Sequence, residues 1–167
     1  MSDDTTPRLA LPLLRPGQAQ KETTHNEALA LLDLAVQASV LAVGTDTPPA
    51  NPVAGNAWIV GGAPTGDWAG QARAIAGWTS GGWRFVAPRD GMAVWSAADG
   101  QVARFAGGVW TLGVLAGSRV SIGGVDVVGA RREAIAEPSG GPVVDLDARA
   151  TIGAILAALR GHGLISI

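Results

Sequence analysis

The chain has 167 residues and a mass of 16.8 kDa, with 16% charged residues, a net charge of −2 and Lys21 as its single lysine. Soluble domains carry about 25% charged residues, and so few cations cannot assemble a phosphate-neutralising patch, which excludes a basic nucleic-acid binder. The cysteine-free sequence excludes disulfide staples, thiolate metal sites and thiol nucleophiles together.

Two accounts fit the low charge: neighbouring subunits cover much of the surface, or an Ala- and Gly-rich composition is a habit of the source genome. The acidic start Met1-Ser2-Asp3-Asp4 lacks the basic region and apolar run of a secretory leader. The longest apolar stretch, Ala28 to Val43, is broken by Asp33, Gln37 and Ser39, too short and too polar to span a bilayer. The expectation is a soluble chain, not conventionally exported and not inserted in a membrane.

Residues 1–17 place Pro7, Pro12, Pro16 and Gly17 around Leu9, Leu11, Leu13 and Leu14. That proline spacing forbids a helix and predicts an extended arm, either disordered or docked on a neighbour. Thr24-His25-Asn26-Glu27 then has the form of a capping box. With Leu29, Leu32 and Val36 at helical spacing, it predicts a helix over about 24–37. Val40 to Val43 has the look of a strand.

Thr45 to Gly55, with three prolines, is a loop. Short β-like runs follow at Ala57–Val60, Trp83–Val86, Met92–Trp95, Gln101–Phe105 and Val109–Leu112, separated by Gly-rich turns of which Asp99-Gly100 is the sharpest hairpin signal. Gly66 to Trp78 is ambiguous: Trp68, Ala72, Ile75 and Ala76 make a helical stripe, while Arg73, Ile75 and Gly77 alternate as a strand. The reading leans to a helical turn. Ser118–Ile122 and Val125–Val128 form a further β pair, and Glu137 to Pro142 is a linker. Beyond Val143 and Val144, Asp145 and Asp147 are N-cap candidates for an amphipathic helix on Ile152, Ile155, Leu156 and Leu159, ended by Gly161.

The expected fold is therefore α+β, mainly β: an N-terminal helix, a small antiparallel β sandwich or barrel rich in tryptophan, and a C-terminal amphipathic helix. Three regions are expected: residues 1–44 as an arm and helix for assembly or attachment, 45–130 as the Trp-rich β domain, and 131–167 as linker and helix.

The search for catalytic chemistry returns little. His25 and His162 have no metal-binding spacing; His25 reads as a helix-start or interface residue, and His162 suits the end of the last helix. No Gly-x-Ser-x-Gly elbow exists, and Gly61 to Gly66 lacks the Gly-Lys-Ser/Thr that phosphates need. Asp67, Asp90, Asp99 and Asp126 sit where aspartate forms turns, so a carboxylate pair for glycan cleavage has little support. No catalytic residue, cofactor or metal is expected.

Six tryptophans without a tyrosine are the unusual signal, all between Trp58 and Trp110. Indoles fill space in a small core of Ala, Val and Gly, and exposed indoles stack on the apolar faces of sugar rings. Core packing accounts for most of the six, and one or two exposed ones suffice for weak glycan binding. The candidate glycan contacts are Trp68, Trp78 and Trp83.

The run Pro16-Gly17-Gln18-Ala19-Gln20-Lys21-Glu22-Thr23-Thr24-His25-Asn26-Glu27-Ala28-Leu29, followed by Leu32-Asp33, is the most distinctive stretch. With Thr65-Gly66-Asp67-Trp68-Ala69-Gly70, Ile75-Ala76-Gly77-Trp78, Gly82-Trp83-Arg84-Phe85 and Pro88, it resembles a phage-related family of unknown function found in prophages and gene transfer agents of alphaproteobacteria. The resemblance covers about Leu9 to Leu115, and the ending from Asp147 to Leu164 also looks like such proteins. It implies a surface component of a virion-like particle, made in the cytoplasm: a tail-fibre or host-specificity protein, or a head spike that binds the polysaccharide capsule of recipient cells.

A chain this short, without a fibre shaft, looks more like a spike base or connector. The partners so implied are copies of itself, as a pentamer or a trimer, capsid or spike and fibre proteins, and cell-surface polysaccharide. Amides and hydroxyls suit a buried subunit contact without the desolvation cost of charge, so Gln18, Gln20, Lys21, Thr24, His25 and Asn26 are the candidate assembly residues. The competing readings are a carbohydrate-binding tail-fibre adhesin acting directly on glycans and, with little support, a depolymerase.

Overall fold

The computed structural model describes residues 5–15, 17, 21–141 and 145–167. Contacts divide the chain into two units, residues 1–114 and 115–167. The first unit holds helix α1 (Lys21–Ala35) and eight short strands: β1 (Ser39–Val40), β2 (Val43–Thr45), β3 (Ala57–Val60), β4 (Ile75–Thr79), β5 (Gly82–Val86), β6 (Ala93–Ser96), β7 (Gln101–Ala106) and β8 (Val109–Leu112). The expected boundary after residue 44 has no counterpart in that division, because α1 packs on β4 and β5.

The architecture is α+β and mainly β, with a helix towards each end of the chain. One sheet has the order β1-β6-β7-β8 and the other β2-β3-β4-β5. Each is antiparallel except at one edge, where β1 runs parallel to β6 and β2 parallel to β3. Those two strands come from one extended segment, residues 39–45, that feeds both sheets. Alternation predicts a strand there but not its orientation, since a parallel edge depends on residues far along the chain.

Side chains alternate across the pleat and sort into two layers. Val40, Ala57, Ile59, Ile75, Val94 and Ala103 meet Leu34 and Ala38 in the main core. Gly77 lies under α1, where a Cβ would stand 2.1 Å from Leu34 Cδ2; its missing side chain is what lets the helix settle on the sheet. On the opposite face of the β2–β5 sheet, Trp58, Val60 and Ala76 form a second layer, covered by Trp68 from a 3₁₀ turn at Gly66–Trp68. The ambiguous stretch therefore resolves into a turn followed by strand β4, on which Ile75 and Gly77 alternate with Ala76 and Trp78.

α1 begins at Lys21, three residues ahead of the expected capping box. Thr24 is thus inside the helix, and Glu27, instead of turning back to cap it, pairs with Arg84 of β5 at 2.6 Å. The hairpin expected at Asp99-Gly100 is present, as a four-residue loop between the paired Ser96 and Gln101. In it Gly100 takes φ +62, while Asp99 keeps negative φ and accepts a hydrogen bond from Ser96 Oγ at 2.5 Å.

The second unit comprises the hairpin β9 (Val120–Ile122) and β10 (Val125–Val128) and helix α2 (Leu146–Gly161). Asp145 caps α2 as expected, accepting from the Ala148 amide at 2.9 Å, and His162 follows the last turn. The described part of the expected linker is tied to α2: Arg160 pairs with Glu137 at 2.6 Å and Arg149 donates to the Pro138 carbonyl at 3.0 Å. Pro142, Val143 and Val144 lie outside the described residues.

Candidate functional site

The three tryptophans singled out from sequence are brought together on the outer face of the β2–β5 sheet. Trp78 and Trp83 are cross-strand partners flanking the Ser80-Gly81 turn, with ring centroids 4.9 Å apart at 68°. Trp83 also meets Trp68 edge-on at 5.1 Å and Trp58 at 5.6 Å. Such tilted geometries match the positive ring edge of one indole to the negative face of the next.

Their exposures separate their roles. Trp68 is 0% exposed, so it is corrected from a glycan contact to the centre of the second core layer. Its Nε1–H is buried with no hydrogen-bond acceptor among the described residues, and it offers no polar handle to a ligand. The cause is the loop after β3, which folds back and lays Trp68 over Trp58. Trp78 and Trp83 are half-buried: each is braced by a neighbouring indole and keeps part of its surface open. Phe85, half-buried on the same face, extends this apolar surface and was missed because single residues do not announce their strand partners. Trp95, on the other sheet, is 47% exposed and stands outside the cluster.

The arm is docked on the helix of its own chain. Asp33, buried in the middle of the apolar stretch, accepts from Thr6 Oγ1 at 2.7 Å and from the amides of Arg8 at 3.1 Å and Leu9 at 2.6 Å. The Arg8 guanidinium donates back to the Asp33 and Gln37 carbonyls. Asn26, a candidate assembly residue, grips Leu14 with both ends of its amide: Oδ1 accepts from the Leu14 amide at 2.9 Å and Nδ2 donates to its carbonyl at 3.0 Å. Its hydrogen-bonding capacity serves the fold of one chain. Lys21, Thr24 and His25 are exposed on α1, and Gln18 and Gln20 lie outside the described residues.

Between arm, helix and the β4–β5 hairpin lies a cleft of about 500 Å3, lined by Thr6, Leu13, Asn26, Glu27, Thr79 and Arg84 among others. The Glu27–Arg84 pair on its wall is doubly hydrogen-bonded, at 2.7 Å from Nε and 2.6 Å from Nη2. The Arg84 hydrogen bonds hold the Glu27 carboxyl below its ordinary value of 4.5, and the same contact raises the Arg84 guanidinium. A depressed carboxyl contributes stability that is complete above pH 4.5 and lost as pH falls through its lowered value. Glu27 is 47% exposed and water screens the pair. Glu27→Gln should therefore lower stability by about 0.5 kcal/mol at pH 7, with the gap to the parent closing in strongly acid buffer; denaturant midpoints at both pH values check this.

Among the described residues, no group of three His, Cys, Asp or Glu side chains could hold a metal ion, and no helix is long and apolar enough to cross a membrane. Residues 25–111 match the family model DUF2793, described as a protein of unknown function. The match spans just over half of the 167 residues and takes in the tryptophan cluster, while the arm and residues 21–24 lie before it; the chain belongs to this family. No curated protein matches it.

Proposed function

We propose that this DUF2793 chain is a non-enzymatic structural part of a phage-like particle, of the gene transfer agent kind, and acts as a head-spike base or connector in attachment to cell-surface polysaccharide. The particle assignment rests on the Pro16–Leu29 motif and the Trp-containing segments that resemble such proteins. In that setting the chain works as repeated copies, a pentamer at a capsid vertex or a trimer in a fibre, on the surface of the particle. The exposed Lys21, Thr24 and His25 of α1 are available to a capsid or spike partner.

The observation that carries the attachment reading is the Trp78–Trp83 pair: two half-open indoles, held by neighbouring rings on a rigid sheet, beside Phe85. Preorganised aromatic faces suit the apolar C–H faces of pyranose rings and lose little conformational freedom on contact.

Titration of the full chain with bacterial capsular polysaccharide should shift its tryptophan emission to saturation. Each stacked indole contributes about 0.5–1.5 kcal/mol, so Trp78→Ala and Trp83→Ala should each weaken binding roughly two- to thirteenfold. Unchanged emission at high polysaccharide, or undiminished binding by both variants, would overturn the attachment reading. The direct adhesin is the second reading, favoured by the same two indoles, and differs in needing no companion protein for cell binding.

A further inference from the structure

The second unit is built inside out for a lone chain. Among its described residues, Leu156 and Ile165 are the only buried hydrophobic side chains, whereas twelve large apolar side chains are exposed. Its hairpin is a sheet of two strands, and two strands alone are marginal in water. The register pairs Val125 with Ile122 and Val128 with Val120, which puts all four on one face; Asp126 and Ser121 pair on the other, where Arg119 reaches Asp126 at 3.1 Å. The four apolar residues are each exposed, Ile122 and Val125 at 66%. On α2, Leu156 is buried while Ile152 and Ile155 stay open.

What order the unit has within one chain is polar. Arg160 binds Glu137 and the Ile135 carbonyl, Arg131 donates to the Ile165 carbonyl at 3.1 Å, and Arg132 exchanges backbone hydrogen bonds with Leu164 and Ser166. These ties set the path of the backbone and leave the aliphatic side chains outward. A unit of this size cannot offset its conformational entropy with two buried side chains.

We propose that residues 115–167 complete their core by packing against the same residues of other copies of this chain. Three observations select a copy over an unrelated partner. The segment carries five arginines and five carboxylates, so identical units meet without net repulsion and no oppositely charged partner is called for. The open apolar residues lie on the hairpin, on α2 and at the C-terminal Leu164 and Ile167, so one groove on another protein would leave most of them wet, whereas symmetry-related copies present every one of these surfaces to each other. The hairpin face of four β-branched side chains, with a register shift between Asp126 and Val128, can also pack against its own copy as the inner faces of a sandwich do.

Interfaces of this kind resemble a domain core cut in half. The inference gives the assembly part of the proposed function its surface, and it moves that surface from the N-terminal arm to the C-terminal third. It does not depend on sugar binding, because its test contains no polysaccharide.

Light scattering of the purified full chain at micromolar concentration should give a whole-number multiple of 16.8 kDa. Ile122→Lys combined with Val125→Lys, and separately Ile155→Lys, should reduce the mass towards one chain. All six tryptophans lie in the first unit, so an unchanged emission spectrum shows that this unit is still folded. A single-chain mass for the parent, or an assembly that both variants leave intact, overturns the proposal.

Discussion

Asp33→Ala should release the N-terminal arm and lower stability by about 3 kcal/mol, since hydrogen bonds to a charged group contribute roughly 1.5–3 kcal/mol. The carboxylate is 2% exposed and collects three donors from a proline-broken segment that, among the described residues, has no internal ladder beyond the Thr5–Pro12 bridge. Its removal leaves the Arg8 and Leu9 amides facing a buried surface with nothing to accept them. The arm must peel away to hydrate them. Asp33→Asn, with its oxygen in the place of Oδ1, keeps the Thr6 and Leu9 bonds and turns its NH2 towards the Arg8 amide alone, so it should recover part of the loss.

Two measurements separate the outcomes. Amide exchange at Arg8 and Leu9 should accelerate, and trypsin should cut after Arg8 in the variant well before it cuts the parent. Parent-like exchange and resistance would mean that the Asp33 contacts do not hold the arm.

Gly77→Ala should also destabilise the first unit, by about 1–3 kcal/mol, through overpacking. A Cβ there would meet Leu34 Cδ2, Cδ1 and Cγ at 2.1, 2.6 and 2.9 Å, and Leu34 is itself 2% exposed in the core. Leu34→Ala alone should cost about 2–5 kcal/mol as a cavity. Because the new methyl occupies space that the leucine vacates, the double variant should be at least 1 kcal/mol more stable than the sum of the singles. Urea midpoints for the four proteins give the coupling directly. Strict additivity would show that α1 does not rest on β4 through this pair.

Much of the strand layout was legible because Gly-rich turns separate short β-prone runs; β3, β8 and β10 coincide with their expected spans. The start of α1 was not, since Thr24 and Glu27 have the spacing of a capping box while Glu27 has a stronger partner 57 residues away. Asp33 registered in the sequence as a break in an apolar run and as part of the Leu32-Asp33 pair of the distinctive stretch, with no role attached. A carboxylate there has two outcomes, an exposed stripe or a buried hub, and the choice depended on the arm folding back onto the helix.

At the candidate site, the sequence reading was core packing for most tryptophans with one or two exposed; that Trp58, Trp68, Trp78 and Trp83 meet follows from strand pairing, in which the Ser80-Gly81 turn sets Trp78 against Trp83. The burial of Trp68 was hidden, because it follows from the path of a loop rather than from any local pattern. The β9–β10 hairpin shows the opposite limit: its residue types say β-strand, and only the structure shows that both strands are exposed along their whole length.

The most direct test of the account is to incubate the full chain with capsular polysaccharide and separate the mixture by size, measuring the bound protein and the length of the polymer in the same run. The account predicts that protein co-elutes with the polymer, that Trp78→Ala and Trp83→Ala reduce this co-elution, and that polymer length stays constant throughout. Protein that never travels with the polymer, or a polymer that shortens with time, would contradict it.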